Sequence, residues 1–333
     1  MKVLLDTRPA ADQGTVGRYS RCLLRALRDT AAASDEVLDT NRPSATVRAN
    51  RADLFHSPWI DGAMLHSPCP MVVTLHDLRA HKRRSEHLRG GLRMRLRPLA
   101  VQRAARVIVP TAAVAQDAVT HLQLARERVS VIPEAPDASM YRRSEADVEA
   151  ARRRFGLPER YLVWVGSLQH PDPASHLAQL AAAPRELPLV LVGATRPWAH
   201  ELEDVILTGP VGDEQLGAIY SGAHALVVSS EQDGFGLPAI EALACGTPVV
   251  ATEGPGPREI LGERATFVPA GDMPALLATA QRAGRPAPPP PSWSWEDAAR
   301  ATWAVYAEAL VERTRSATQP LRRRSSRGRP AAG

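Results

Sequence analysis

Short apolar runs alternate with longer stretches whose apolar residues fall on one helical face, from the first residues of the chain to about position 285. Short, mainly apolar runs of three to five residues predict strands, and the amphipathic stretches between them predict crossover helices. Together they predict α/β architecture with parallel sheets. In the first half the strands fall at Val3–Leu5, Leu54–His56, Met71–Leu75, Val107–Val109 and Val129–Ile132, with helices at about 17–29, 90–104 and 111–122. Thr111 is placed to cap the last of these. In the second half strands fall at Tyr161–Val165, Leu189–Val192, Val205–Leu207, Ala225–Val228, Val249–Ala251 and Ala265–Val268, with helices at about 174–183, 213–221, 236–245, 257–261 and 273–282.

The two series are separated by Arg152–Arg160, where Gly156-Leu157-Pro158 reads as a turn. This divides the chain into 1–155 and 156–290. The proline run 286–291 closes the second series, because consecutive prolines continue neither a helix nor a ladder. A final helix is predicted over 291–314, followed by a disordered basic tail over 315–333.

Composition narrows the class. A chain of 333 residues suits two α/β domains, and no apolar run approaches the roughly 20 residues of a membrane span. The opening MKVLLDTRPA stops being apolar at Asp6, which suits a buried strand better than a signal peptide. Cys22, Cys69 and Cys245 lack metal spacing and are too few for a disulfide framework, so a cytoplasmic location is expected. The net charge of +5 is concentrated in LRRRSSRGRP near the end and between Lys82 and Arg97. Such runs suit a solvated surface or peripheral contact with an anionic membrane face, and nucleic-acid binding is not expected.

The chemistry points to SSEQDGFGLPAIEALACGTPVVAT, which joins a strand to a glycine-bearing loop, a helix and another strand. Gly234 and Gly236 permit a sharp turn and a close approach to a ligand. The amides of Phe235, Gly236 and Leu237 then open a helix, with Pro238 in its first turn, and such a start attracts a diphosphate. Glu241, one turn on, can accept two hydrogen bonds from a vicinal diol such as a ribose.

This stretch resembles the E-x7-E segment of family 4 glycosyltransferases, with Glu241 at the second glutamate and Asp233 at the first. The opening LLDTRPAADQGTVGRYSRCLLRAL is similar to the family's first strand, glycine loop and helix, with Gly14 and Gly17 in the loop. LFHSP, VVTLHDL, VIVPTAAVAQDAV and VSVIPEAPD resemble the family's later strand ends, and WVGSLQHPDP its first donor-domain strand. The resemblance covers about 1–285 and PSWSWEDAARATWAVYAEAL. It implies a GT-B fold: two Rossmann-like domains facing each other across a cleft, with the C-terminal helix crossing back to the first. It implies a retaining hexosyltransferase using a nucleoside diphosphate sugar, without metal or other cofactor, on a sugar, lipid-linked or natural-product acceptor. His76, Asp233 and Glu241 would serve transfer. Gly14, Gly17, Gly166, Val211, Gly234, Phe235, Gly236, Leu237 and Glu241 would bind the donor, with the backbone of 209–211 on the base edge.

Two departures bear on this. Asp233 is shorter than the family's glutamate. Ala174 and Ser175 stand where an Arg and a Lys are expected to neutralise the leaving diphosphate, with Arg18 and Arg196 as candidate substitutes. The alternative is a degenerate homologue that binds a nucleotide sugar as a partner subunit without turning it over.

Overall fold

The computed structural model describes residues 1–12, 14–43, 46–47, 51–78, 91–230 and 234–318. It contains two six-stranded sheets in which every paired strand is parallel. The first holds β1 (Lys2–Asp6), β2 (Glu36–Thr40), β3 (Leu54–Ser57), β4 (Met71–Thr74), β5 (Arg106–Val109) and β6 (Val129–Val131), in the order β2-β1-β3-β4-β5-β6. The second holds β7 (Leu162–Val165), β8 (Leu189–Val192), β9 (Val205–Gly209), β10 (Ala225–Val228), β11 (Val249–Thr252) and β12 (Ala265–Val268), in the order β12-β11-β10-β7-β8-β9. Strand direction reverses its winding beside β1 in one sheet and beside β7 in the other. Such switch points open a crevice at the carboxyl ends of the strands.

Helices cover both faces of each sheet, which is why β3, β4, β8, β10 and β11 are buried at every residue. In chain order they are α1 (Thr15–Asp29), α2 (Gly91–Gln102), α3 (Ala112–Leu122), α4 (Glu145–Phe155), α5 (Leu177–Ala182), α6 (Asp213–Gly222), α7 (Leu237–Ala244), α8 (Pro255–Leu261), α9 (Met273–Gln281) and α10 (Trp295–Thr318). Thr111 caps α3 as its sequence predicts, accepting from the amide of Val114. No described helix is long and apolar enough to cross a membrane.

Two elements go beyond the sequence reading. The interval before Leu54 holds β2, an edge strand in which only Val37 and Thr40 are buried. Arg152–Arg160, read as a linker, instead begins inside α4. That helix opens with a capping box on Ser144 and Asp147 and ends on Gly156 in the left-handed conformation. The tail predicted to be disordered from 315 starts helical, since α10 continues to Thr318, just short of the helix-breaking Pro320. Residues 319–333 lie outside the described residues.

The chain passes from the first sheet to the second between β6 and α4 and returns between α9 and α10. Both passages meet Ser221 at the end of α6: the Arg143 amide donates to its hydroxyl, and the Arg285 guanidinium donates to its carbonyl. After the return, α10 packs Ala298, Ala299, Val305, Tyr306 and Ala309 against Val3, Tyr19, Leu23, Leu54 and Ile108 of the first sheet's core.

A buried polar chain fastens this contact. The Tyr306 hydroxyl lies 2.6 Å from Nδ1 of His56, and Nε2 of His56 lies 2.9 Å from the Thr74 hydroxyl. Thr74 in turn lies 3.0 Å from the Tyr19 hydroxyl. Burial holds His56 neutral, with its pKa lowered to about 3, so one ring nitrogen donates and the other accepts. Tyr306→Phe leaves a buried ring nitrogen without a partner. It should cost about 1–3 kcal/mol, read as a fall of several degrees in the thermal midpoint.

Candidate functional site

The crevice between the sheets contains two adjoining cavities, of about 430 and 110 Å³. Asp12, Gly14 and Thr15 from the first sheet's side, and Gly166, Ser167, Leu237 and Pro238 from the second's, line both. Arg18, Val211 and Glu241 line the smaller, while His76, Glu134, Gly234, Phe235 and Gly236 line the larger.

Glu241 sits in the first turns of α7 and is 1% exposed. Its Oε1 lies 3.0 Å from Nη1 of Arg18, which reaches across from α1, while Nη2 of Arg18 pairs with Asp213 at 2.9 Å. The Arg18–Glu241 contact is close but misaligned for a hydrogen bond, since neither Nη1 nor Oε1 has a hydrogen-bond partner. The Tyr220 hydroxyl donates to Oε2 at 3.4 Å. Burial raises the Glu241 pKa to about 7, against the opposing charge of Arg18 and with help from the negative charges of Asp213 and Asp137. Two acids therefore share one buried guanidinium. Sequence reasoning found Glu241 but read Arg18 only as a candidate cation, because nothing local in GTVGRYS reveals which acids lie across the cleft.

The glycines fall into distinct roles. Gly236 caps α7 at φ 76°, a conformation that favours glycine. Pro238 has no amide hydrogen and the Ala239 amide donates to the Gly236 carbonyl at 2.8 Å, so the donors that can face the larger cavity at this helix start are the amides of Gly236 and Leu237. Gly234 is glycine for a different reason: a Cβ there would stand 1.7 Å from the carbonyl oxygen of His76. Gly14 lines both cavities, but its amide donates to the Asp12 carboxylate at 3.1 Å. Gly17 lines neither. A Cβ on it would stand 1.9 Å from the Asp12 carbonyl oxygen, so it serves close packing of α1 on the preceding loop. Phe235 is buried against Trp293, with ring centroids 5.6 Å apart.

His76 follows β4. Its Nε2 lies 2.9 Å from the Pro58 carbonyl and its Nδ1 lies 3.1 Å from Oε1 of Glu134. Both ring nitrogens are thus occupied by protein groups, and the ring makes a T-shaped contact with Tyr19, centroids 4.5 Å apart. Glu134 was missed from sequence: it lies in VSVIPEAPD, 58 residues from its partner, with no local signal. Its Oε2 is buried without a hydrogen-bond partner.

Of the two positions expected to carry cations, Ala174 is buried and lines neither cavity, whereas Ser175 lines the larger one. The Ser175 carbonyl is held by the Ser229 hydroxyl. Arg196 donates to Gln169 at 2.9 Å and does not line the cavities. Among the described residues lining them, the charged or titratable groups are Arg18, His76 and His170 against Asp12, Asp77, Glu134, Asp172 and Glu241. Asp233 and residues 79–90 lie outside the described residues. No group of His, Cys, Asp and Glu among the described residues could hold a metal ion.

Comparison with known proteins places this geometry. Residues 31–139 match the family model "Glycosyltransferase Family 4", and residues 159–283 match "Glycosyl transferases group 1". The D-inositol 3-phosphate glycosyltransferase of Mycolicibacterium smegmatis is 33% identical over 63% of this chain and 54% of that one. The 2-deoxystreptamine glucosyltransferase of Streptomyces kanamyceticus is 28% identical over 46% of this chain and 43% of that one. The chain spans little more than half the length of the first of these curated relatives. Among solved structures, sucrose-phosphate synthase of Thermosynechococcus elongatus superposes with a TM-score of 0.64 at 22% identity, covering 96% of this chain and 100% of that one. HepE of Anabaena, solved with UDP and glucose, gives 0.61 at 17% identity over 96% and 99%. These likenesses carry the GT-B fold, and the two family models flank the cleft on either side. The chain belongs to glycosyltransferase family 4.

Proposed function

We propose that this protein transfers a hexose from a nucleoside diphosphate sugar to a hydroxyl of a small-molecule or glycan acceptor, with retention at the anomeric carbon and without a metal. The observation that carries this reading is the buried Glu241 carboxylate, one turn into α7, in a cavity that adjoins the larger one at Leu237 and Pro238, where the Gly236 and Leu237 amides open the helix. A carboxylate suits the ribose diol and helix-start amides suit a diphosphate, in the order a nucleoside diphosphate presents them. HepE, which shares the fold, was solved with UDP and glucose. The names of two relatives, for inositol phosphate and deoxystreptamine, favour a small hydroxylated acceptor. Retention follows the family. Independence from metal follows from helix-start amides doing the work of a cation.

The alternative, a homologue that binds the donor without turnover, draws support from the acid-rich lining and from Ala174 and Ser175. Thermal denaturation with UDP, GDP, dTDP or ADP tests the seat. One diphosphate at 100 times its Kd should stabilise the fold by about 2.7 kcal/mol, and EDTA should leave that shift unchanged. No shift with any of the four would refute the reading. Release of free sugar or its transfer by the purified protein would separate the enzyme from the non-turning homologue.

A further inference from the structure

The hydrogen count at His76 constrains its charge. The Pro58 carbonyl can only accept, so Nε2 carries a hydrogen. An ionised Glu134 can also only accept, so Nδ1 carries one as well, and a ring with both hydrogens is an imidazolium. The competing distribution places the shared proton on Glu134 and leaves His76 neutral. The surroundings favour the cation. Asp77 adjoins His76 on its own loop, and Asp12 and Asp172 line the same cavity from the α1 and β7 sides. From β3 the nearest titratable group is His56, held neutral by burial, and from α1 it is the un-ionised Tyr19. His170 shares the cavity, and across the cleft Gly234 brings only backbone against the His76 carbonyl. Glu134 and Asp77 raise the His76 pKa against its burial.

We propose that Glu134 is a positioning residue that holds His76 as a standing cation in the donor cleft, placing positive charge opposite the leaving diphosphate where Ala174 and Ser175 supply none. The assignment rests on the donor reading above only for what the charge acts upon. His76 lines the cavity that the open end of α7 faces, so a diphosphate seated on those amides would meet the imidazolium from the opposite wall. The role differs from that of a proton acceptor, because both nitrogens already hold hydrogens and both are spent on the protein. The cation is present below the raised pKa and is lost as pH rises through it, so its contribution should fade on the alkaline side, above the ordinary histidine value of about 6.5.

The full-length protein labelled with ¹⁵N-histidine allows a direct test, since ring-nitrogen shifts report the hydrogen on each nitrogen. The His76 signals are assigned by their loss in His76→Asn. At pH 7.5, without nucleotide, His76 should have hydrogen on both nitrogens. In Glu134→Gln the side-chain amide can donate to Nδ1, so the ring should become neutral with hydrogen on Nε2 alone and titrate about 1–3 units lower. A neutral His76 in the unaltered protein at pH 7.5 would overturn the proposal, even if the variant did not fold. The use of the charge is read from kcat/KM against pH with the hexose donor. The alkaline limb should move down by about one unit or more in Glu134→Gln, with kcat falling more than KM rises. A cationic His76 with an unmoved limb would overturn its part in transfer. Absence of any diphosphate binding would instead overturn the donor reading and leave the protonation result standing.

Discussion

Glu241→Gln should weaken binding of the nucleoside diphosphate sugar by about 2–3 kcal/mol, roughly 30- to 150-fold in Kd, while leaving the protein folded. The carboxylate offers two acceptor oxygens to a vicinal diol. The amide offers one and turns a donor toward hydroxyls that are themselves donating. Glutamine is the informative exchange because it keeps the buried volume and an acceptor oxygen beside Arg18, whose charge stays paired with Asp213 at 2.9 Å, whereas alanine would also leave a cavity in the wall of the cleft. The same residue sets a pH dependence. Burial raises the Glu241 pKa to about 7, so its acceptor form is lost as pH falls through neutrality. Affinity for the intact sugar nucleotide should rise between pH 6 and 8 in the unaltered protein and stay flat in the glutamine variant. Calorimetric titration at several pH values measures both. Stability carries the opposite sign: the folded state holds a proton that the unfolded chain has released, so this group's contribution falls as pH rises from about 4.5 to 7.

Gly234→Ala should abolish most transfer without unfolding the protein. The added methyl would stand 1.7 Å from the His76 carbonyl oxygen, and backbone lies on both sides of the contact, so the loop ahead of α7 or the end of β4 has to move. A displacement of about 1 Å between groups that must converge on one substrate costs on the order of 10² in rate. Gly236→Ala provides the contrast. Its φ of 76° disfavours a side chain, but the space around it is open, so it should lose about 1–2 kcal/mol of stability and much less activity. Steady-state kinetics and thermal midpoints of the two variants separate collision from strain. Equal losses of activity would refute the assignment of Gly234 to contact between the lobes.

The parts of this molecule written in local pattern were legible. Apolar runs such as LVLV and ALVV gave the parallel strands, because a strand covered on both faces has no polar positions to hide it. The loop and helix from Gly234 to Glu241 were legible because glycine, proline and a carboxylate at those spacings each answer a backbone or ligand demand. EVLDT was passed over because an edge strand buries few of its residues. Ser144-Glu145-Ala146-Asp147 was legible in principle as a capping box, but the turn read at Gly156-Leu157-Pro158 set the boundary and the helix before it was not placed. What sequence could not give was pairing at a distance. Glu134 with His76, Arg18 with Asp213 and Glu241, and the commitment of the Gly14 amide to Asp12 all depend on how loops from separate crossovers meet. The expected Arg–Lys pair taught a related lesson, since Ala174 lies inside the wall of the cleft and only Ser175 reaches its surface.

The two passages between the sheets both reach Ser221 at one end of α6, while Asp213 at its other end meets Arg18 from the first sheet's side. One helix therefore ties the crossing of the chain to the wall of the cleft, and a ligand that draws Arg18 into new bonds acts on the same element that both passages hold.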